Sequence, residues 1–243
     1  LSLWLFFGSG GAGAEGGNFA PKRAVLCCFG VGGACSLGGV GNDIDYRLVL
    51  ASASPARRAL LSAAGIDAEV MVSGVDESVV EAADAYELCL ALARMKARAI
   101  AAELPPDPGI LVLGCDSVLA FDGQIFGKPA NAEEAAKRWE MMRGRSGVLH
   151  TGHHVTGLVS GRQAEAVGTT VVHFSDITDA EIAAYVASEE PLNVAGSFTI
   201  DGRGAAFVER IEGDPGNVIG LSLPLLRKLL IEMDVSITAL WRA

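Results

Sequence analysis

The sequence predicts an α/β fold, and three observations carry that prediction. Leu48-Val49-Leu50-Ala51 is an apolar run suited to a buried strand, and it turns through Ser52-Ala53-Ser54-Pro55 directly into a segment of helix formers. Ile110-Leu111-Val112-Leu113-Gly114 is a second continuous apolar run, the pattern of a strand covered on both faces. Gly147–Leu158 and Ala164–Phe174 alternate as an antiparallel pair around Ser160-Gly161-Arg162. Strand–helix alternation early and antiparallel pairing late make a mixed sheet.

Composition bounds the class. The 243 residues are 50% hydrophobic and 20% charged, enough for a sizeable core. A net charge of −10 argues against nucleic acid as a partner, while a local basic pocket or a divalent metal still admits a small anionic substrate. No apolar run approaches the ~20 residues of a membrane span, so no membrane partner is expected. Five cysteines without a CxxC pair read as the reduced thiols of a cytoplasmic protein. Residues 1–45 hold 12 of the 30 glycines and three of the five cysteines, and read as a weakly ordered tail before a domain over 46–243. Within that tail Leu3-Trp4-Leu5-Phe6-Phe7 is preceded by no basic residue, unlike a signal peptide; a short anchor or partner motif is the other reading.

Each element has a local cause. Ser54 suits an N-cap and Pro55 the first helical position, so a helix runs from there through Leu61. Its N-terminus, with Arg57 and Arg58, makes either a phosphate cradle or an ordinary strand–helix junction with solvated arginines. Ala68–Val72 reads as a strand leading to Asp76-Glu77, which serve a metal or simply precede the next helix. That helix covers Ala85 to Glu103, with Leu88, Leu92, Met95 and Ala99 as its predicted buried face. Lys96 lies among them, either snorkelling or reaching a site. Pro105-Pro106-Asp107-Pro108-Gly109 breaks the helix, and the strand after it is expected to end at Gly114 and deliver Cys115-Asp116-Ser117 at its carboxyl end, where α/β sheets bind ligands.

Val118–Phe121 and Gln124–Phe126 flank the hairpin signal Asp122-Gly123. Asn131-Ala132-Glu133-Glu134 resembles a capping box opening a helix to about Met142, and Gly144 ends it. His150, His153 and His154 sit on the first long alternating strand, where His153 and His154 face opposite sides and no fourth ligand has metal-site spacing. A helix follows from Ser175–Glu181 to Ala187; the Gly-rich stretch 195–204 suits close backbone approach to a ligand. Phe207–Gly213 alternates as a strand, Asp214-Pro215-Gly216-Asn217 is a turn, and Leu223–Met233 is a last amphipathic helix.

Seven motifs in order carry a family resemblance: LASASPARRALL (50–61), VDES (75–78), the lysine of KARAIA (96–101), GCDSV (114–118), GKP (127–129), EEPLNVAGSFTIDGRG (189–204) and FVERIEGDPGNVIGLSLPLL (207–226). Over residues 46–233 the chain resembles Maf proteins, once called septum formation inhibitors and now regarded as nucleotide pyrophosphatases. The resemblance implies a Maf/ITPase-like α/β fold, an elongated mixed sheet in two lobes with a cleft between them, and admits a homodimer. It implies cleavage of a nucleoside triphosphate, canonical or modified, to the monophosphate and pyrophosphate, assisted by a divalent cation, Mg2+ or Mn2+.

On this resemblance Asp116 matches the general base, and Glu77 with Asp116 match the metal-binding carboxylates. Arg57 and Lys128 match cations for the phosphates, the Ser52–Ser54 turn cradles phosphate oxygens, Lys96 matches a site lysine, and Asp76 supports its neighbours. The chain departs from pyrimidine-type relatives: Ala56 and Ala59 replace an Arg and a Glu, and Asp201 stands where they carry a site Gln, which makes Asp201 the candidate for reading the base. The GSF form leans towards relatives favouring 7-methyl-GTP and the GRG form away from them, so base preference stays open. The rival function is a non-enzymatic cell-division regulator that binds a protein partner, a role that would not call for Asp116, Glu77 and Lys128 together. A P-loop is excluded because Lys128 precedes Pro129 rather than a hydroxyl residue.

Overall fold

The computed structural model describes residues 44–242, so the glycine-rich segment lies outside the described residues except at its last two positions. In chain order the elements are β1 (Arg47–Leu50), α1 (Pro55–Ala63), β2 (Glu69–Val70), α2 (Ala85–Glu103), β3 (Ile110–Phe121), β4 (Gln124–Phe126), α3 (Ala132–Met142), β5 (Ser146–Gly157), β6 (Gln163–Phe174), α4 (Asp179–Ala187), β7 (Val208–Glu212), α5 (Pro215–Ile219) and α6 (Leu223–Glu232). Among the described residues seven strands form one mixed sheet in the order β2-β1-β3-β5-β6-β7, with β4 added to β3. β1 pairs parallel with β2 and β3; β3–β5, β5–β6, β6–β7 and β3–β4 are antiparallel. The expected α/β class and mixed sheet hold.

The local signals act as their chemistry predicts. Ser54 caps α1 with Pro55 at its first position, Asn131 caps α3, and Thr178 with Glu181 closes a full capping box on α4. Asp122 and Gly123 both take positive φ, 51° and 75°, as the two-residue hairpin requires.

Two core clusters occupy opposite ends of the long strands. One packs α1 and α6 on Leu48, Leu50, Leu111, Leu113 and Val155; the other packs α3 and α4 on Leu119, Phe121, Leu149 and Phe174. Trp139 anchors the second, fully buried and edge-on to Phe174, Tyr185 and Phe207.

Three expectations need correction. The run from Ile110 does not stop at Gly114: β3 continues for 12 residues to Phe121, so Asp116 lies within a strand. β5 pairs it throughout that stretch, from Leu111 to Ala120, and continuous pairing outweighs the polar interruption. Second, the buried face of α2 is Ala85, Cys89, Leu92, Ala93, Ala97 and Ile100, while Leu88, Met95 and Ala99 are only half-buried. Third, Asp214–Asn217 opens the short helix α5 and is more than a turn, because Asp214 caps it and Pro215 starts it.

The α2 correction has a packing cause. A Cβ on Gly114 would lie 2.0 Å from the Ala93 carbonyl oxygen, and one on Gly152 would lie 2.3 Å from that of Cys89. The helix backbone therefore rests directly on β3 and β5, and only a stripe of small residues fits the contact.

Candidate active site

One edge of β3 changes partner in mid-strand. β1 pairs with it only from Ile110 to Leu113, and β4 takes the edge up again at Leu119. Between them Cys115, Asp116 and Ser117 have no strand neighbour on that side among the described residues. The first turn of α1 fills part of the gap: Arg57 is buried, and its Nη1 donates to the Cys115 carbonyl at 2.9 Å and to Ser52 Oγ at 3.0 Å. Its Nε donates to the Gly220 carbonyl at 2.7 Å and its Nη2 to Ser117 Oγ at 2.9 Å. Four of the five N–H donors are thereby used. Ser52 Oγ also accepts from the Ser54 amide at 3.3 Å, so the turn before α1 is tied to the same guanidinium.

Alternation along β3 sends Asp116 to the other face, under α2. Lys96 Nζ bonds Asp116 Oδ1 at 2.5 Å and Glu77 Oε1 at 2.7 Å, so one ammonium bridges the two candidate carboxylates. Lys96 reaches the site because α2 lies so low on the sheet. Asp116 Oδ2 has no hydrogen-bond partner among the described residues. Burial pushes the Asp116 carboxyl above the usual carboxylate range, and the Lys96 and Arg57 charges oppose that push. Asp76 accepts from the Ser78 amide at 3.0 Å and so starts the single turn that presents Glu77.

No group of three or more His, Cys, Asp or Glu residues among those described could hold a metal ion. Glu77 and Asp116 offer two hard carboxylates close together. That donor set fits an ion of the Mg2+ type, completed by phosphate oxygens and water, and does not fit a closed protein cage. Two of the strand histidines are engaged by protein groups. His153 accepts from the Ser222 amide at 2.9 Å and donates to the Thr151 carbonyl at 2.9 Å, and burial lowers it to about 4, so it stays neutral. His154 faces the α2 side, where it meets Glu165 at 2.8 Å.

Ser52, Arg57, Lys96, Glu77 and Asp116 thus come together at the gap, with Ser54 capping α1 beside them. Lys128 and Asp201 make no hydrogen bond to that group. Lys128 is exposed on the loop after β4 and has no ion-pair partner among the described residues. Asp201 is exposed and accepts a hydrogen bond from the Thr199 hydroxyl, the local turn contact that competes with a base-reading role. Arg58 points elsewhere, lining a shallow depression with Asp67, Glu69 and Arg242. Ser117, outside the expected site residues, passes the Arg57 contact on to Thr151 Oγ1 at 2.9 Å. Its signal was position: a hydroxyl next to Asp116 on a strand must face the side opposite Asp116, where α1 packs.

These features define an α/β protein with a carboxylate–lysine centre at an interrupted strand edge, flanked by a buried arginine. The chain belongs to the Maf-like protein family, whose sequence profile matches residues 47–233. It is 64% identical over 201 residues to a protein of Salinispora tropica named nucleoside triphosphate pyrophosphatase, covering 82% of this chain and 89% of the relative. Proteins of the same name from Streptomyces coelicolor and Thermosynechococcus vestitus are 61% and 53% identical, over 80% and 78% of this chain and 94% of each relative.

Proposed function

We propose that this chain hydrolyses nucleoside triphosphates to the monophosphate and pyrophosphate, with Asp116 as general base. Family membership and relatives bearing the pyrophosphatase name support the coarse activity. The observation that carries the site assignment is the Lys96 ammonium bridging Asp116 and Glu77.

Asp116 Oδ2 takes a proton from water while the water oxygen bonds to phosphorus. The bridging P–O bond breaks, and its electron pair leaves with pyrophosphate. Lys96 holds the carboxylate in place through Oδ1. Lys128 meets the phosphate charge, and the Ser52–Ser54 turn with the α1 N-terminus supplies N–H and hydroxyl donors. Arg57 adds positive charge from beneath and keeps that turn against β3. A divalent cation bound at Glu77 and Asp116 would neutralise charge on the phosphates. Groups that meet the phosphates cannot choose a base, so substrate choice falls to the 195–204 loop, with Asp201 as the candidate.

Asp116→Asn tests the assignment. The folded variant is expected to bind nucleotide yet lose ~10²-fold or more of its pyrophosphate release. Wild-type release from that variant would remove Asp116 from the mechanism.

A further inference from the structure

Arg138, on α3, is an unexplained buried charge: its side chain is only 8% exposed. A buried guanidinium is costly unless its donors are matched. Its Nη1 donates to the Gly127 carbonyl at 2.6 Å, its Nη2 to Glu134 Oε1 at 2.5 Å, and its Cζ lies over the Phe126 ring, 4.7 Å from the ring centre. Glu134 uses its other oxygen on the Ala130 amide at 2.7 Å. One turn of α3 therefore grips the loop 127–130 at both ends, with Lys128 between the grips.

The same turn holds the second loop. The Gly127 carbonyl that Arg138 engages also accepts from the Gly196 amide at 3.0 Å. Trp139 Nε1 donates to the Ser197 carbonyl at 2.7 Å, and Arg138 Nη1 stands 3.5 Å from Ser197 Oγ. Ser197 is fully buried with φ of 60°, a left-handed conformation that a non-glycine residue keeps only when its surroundings impose it. The loop it begins leads to Asp201.

We propose that Arg138 is a positioning residue for nucleotide binding. With Glu134 it presents the Lys128 loop in one conformation, and through the Gly127 carbonyl it couples that loop to the one carrying Asp201. A long lysine on a free loop would lose conformational entropy on meeting a triphosphate; a loop fixed beforehand loses less. The inference rests on the pyrophosphatase reading, in which Lys128 meets phosphate.

The test is a double-mutant cycle on pyrophosphate release, with thermal melts of every variant. Arg138→Lys is expected to raise KM by ~10-fold with a smaller change in kcat, and to add little in a Lys128→Ala background, because both act through one side chain. Glu134→Gln removes the other half of the grip from a partly exposed position and should raise KM by ~3-fold, again only when Lys128 is present. It decides the matter if Arg138→Lys fails to fold. Equal effects in both backgrounds, or a lower melting temperature with unchanged KM, would overturn the positioning role alone. No pyrophosphate release by the wild-type chain, or an unchanged KM in Lys128→Ala, would overturn the underlying reading and the inference with it.

Discussion

Asp116 and Ser117 face opposite sides of β3, and each meets a cation that the fold has already fixed: Lys96 from α2 and Arg57 from α1. The loops beyond β4 are built the other way round. Their backbones are held by Arg138, Trp139 and Gly196, while the side chains proposed to meet substrate, Lys128 and Asp201, stay exposed. The first region fixes its charges before substrate arrives, which suits chemistry whose barrier falls through preorganised electrostatics. The second fixes only the platform, which leaves the contacts to the nucleotide adjustable. On this view turnover depends on the packing of α2, and affinity and base choice depend on the loops.

The most disruptive way to break the comparison is Gly114→Ala. Its Cβ would meet backbone, the Ala93 oxygen at 2.0 Å and the Ala97 nitrogen at 2.9 Å, so α2 must move. Overpacking of this kind costs about 1–3 kcal/mol, and a shift of Lys96 from Asp116 should reduce pyrophosphate release by ~10²-fold. Thermal unfolding and turnover check both, and a variant wild-type in both would show that the close approach of α2 does not govern the site. Lys128→Ala tests the other region and should leave the melting temperature in place while raising KM by ~10-fold. A large fall in melting temperature would mean that Lys128 holds the loop instead of presenting it.

Asp201→Gln sharpens the comparison within the loops. An ionised carboxylate only accepts hydrogen bonds, whereas an amide also donates. The ratio of kcat/KM between pyrimidine and guanine-type triphosphates should shift by up to ~10-fold. A uniform change for every base would leave Asp201 with only its turn contact to Thr199.

The smallest effect concerns pH. Arg94, on α2, holds the Glu165 carboxyl down to about 2, with help from His154. The folded value is below the ordinary 4.5, so the ion pair stabilises fully above that ordinary value and is lost as pH falls towards 2. Glu165→Gln should therefore flatten the fall in melting temperature between about pH 5 and 2, and differ less from the parent at the acid end. An unchanged acid limb would show that Arg94–Glu165 does not brace α2 on the sheet.

The two regions also differed in how far the sequence disclosed them. The capping residues, the Asp122-Gly123 hairpin and the bounds of α2 followed from local chemistry, and the ordered motifs pointed to Asp116, Glu77 and Lys96. Periodicity alone does not disclose the buried face of α2, because its partner surface is two sheet glycines, one of them on β5. Helical periodicity favours the largest apolar side chains and so selected Leu88 and Met95 over Ala93 and Ala97. Arg138 gave no signal in a helix rich in charged residues, since its value depends on a carbonyl eleven residues earlier and a loop 59 residues later.

By itself, then, the sequence determined the α/β class and most elements, because propensity, capping and periodicity act over a few neighbouring residues, and its ordered motifs named the residues of the candidate site through the family resemblance. Only the tertiary structure decided that β3 runs unbroken through Asp116, that one lysine bridges both carboxylates, and that Arg57 is committed to protein acceptors. Those outcomes depend on where β1 stops pairing, how closely α2 lies on the sheet, and which distant carbonyls remain to be satisfied. Arg57 alone joins Cys115, 58 residues away, to Gly220, 163 residues away. Contacts over such separations are set by the packing of whole elements and leave no mark on local sequence pattern.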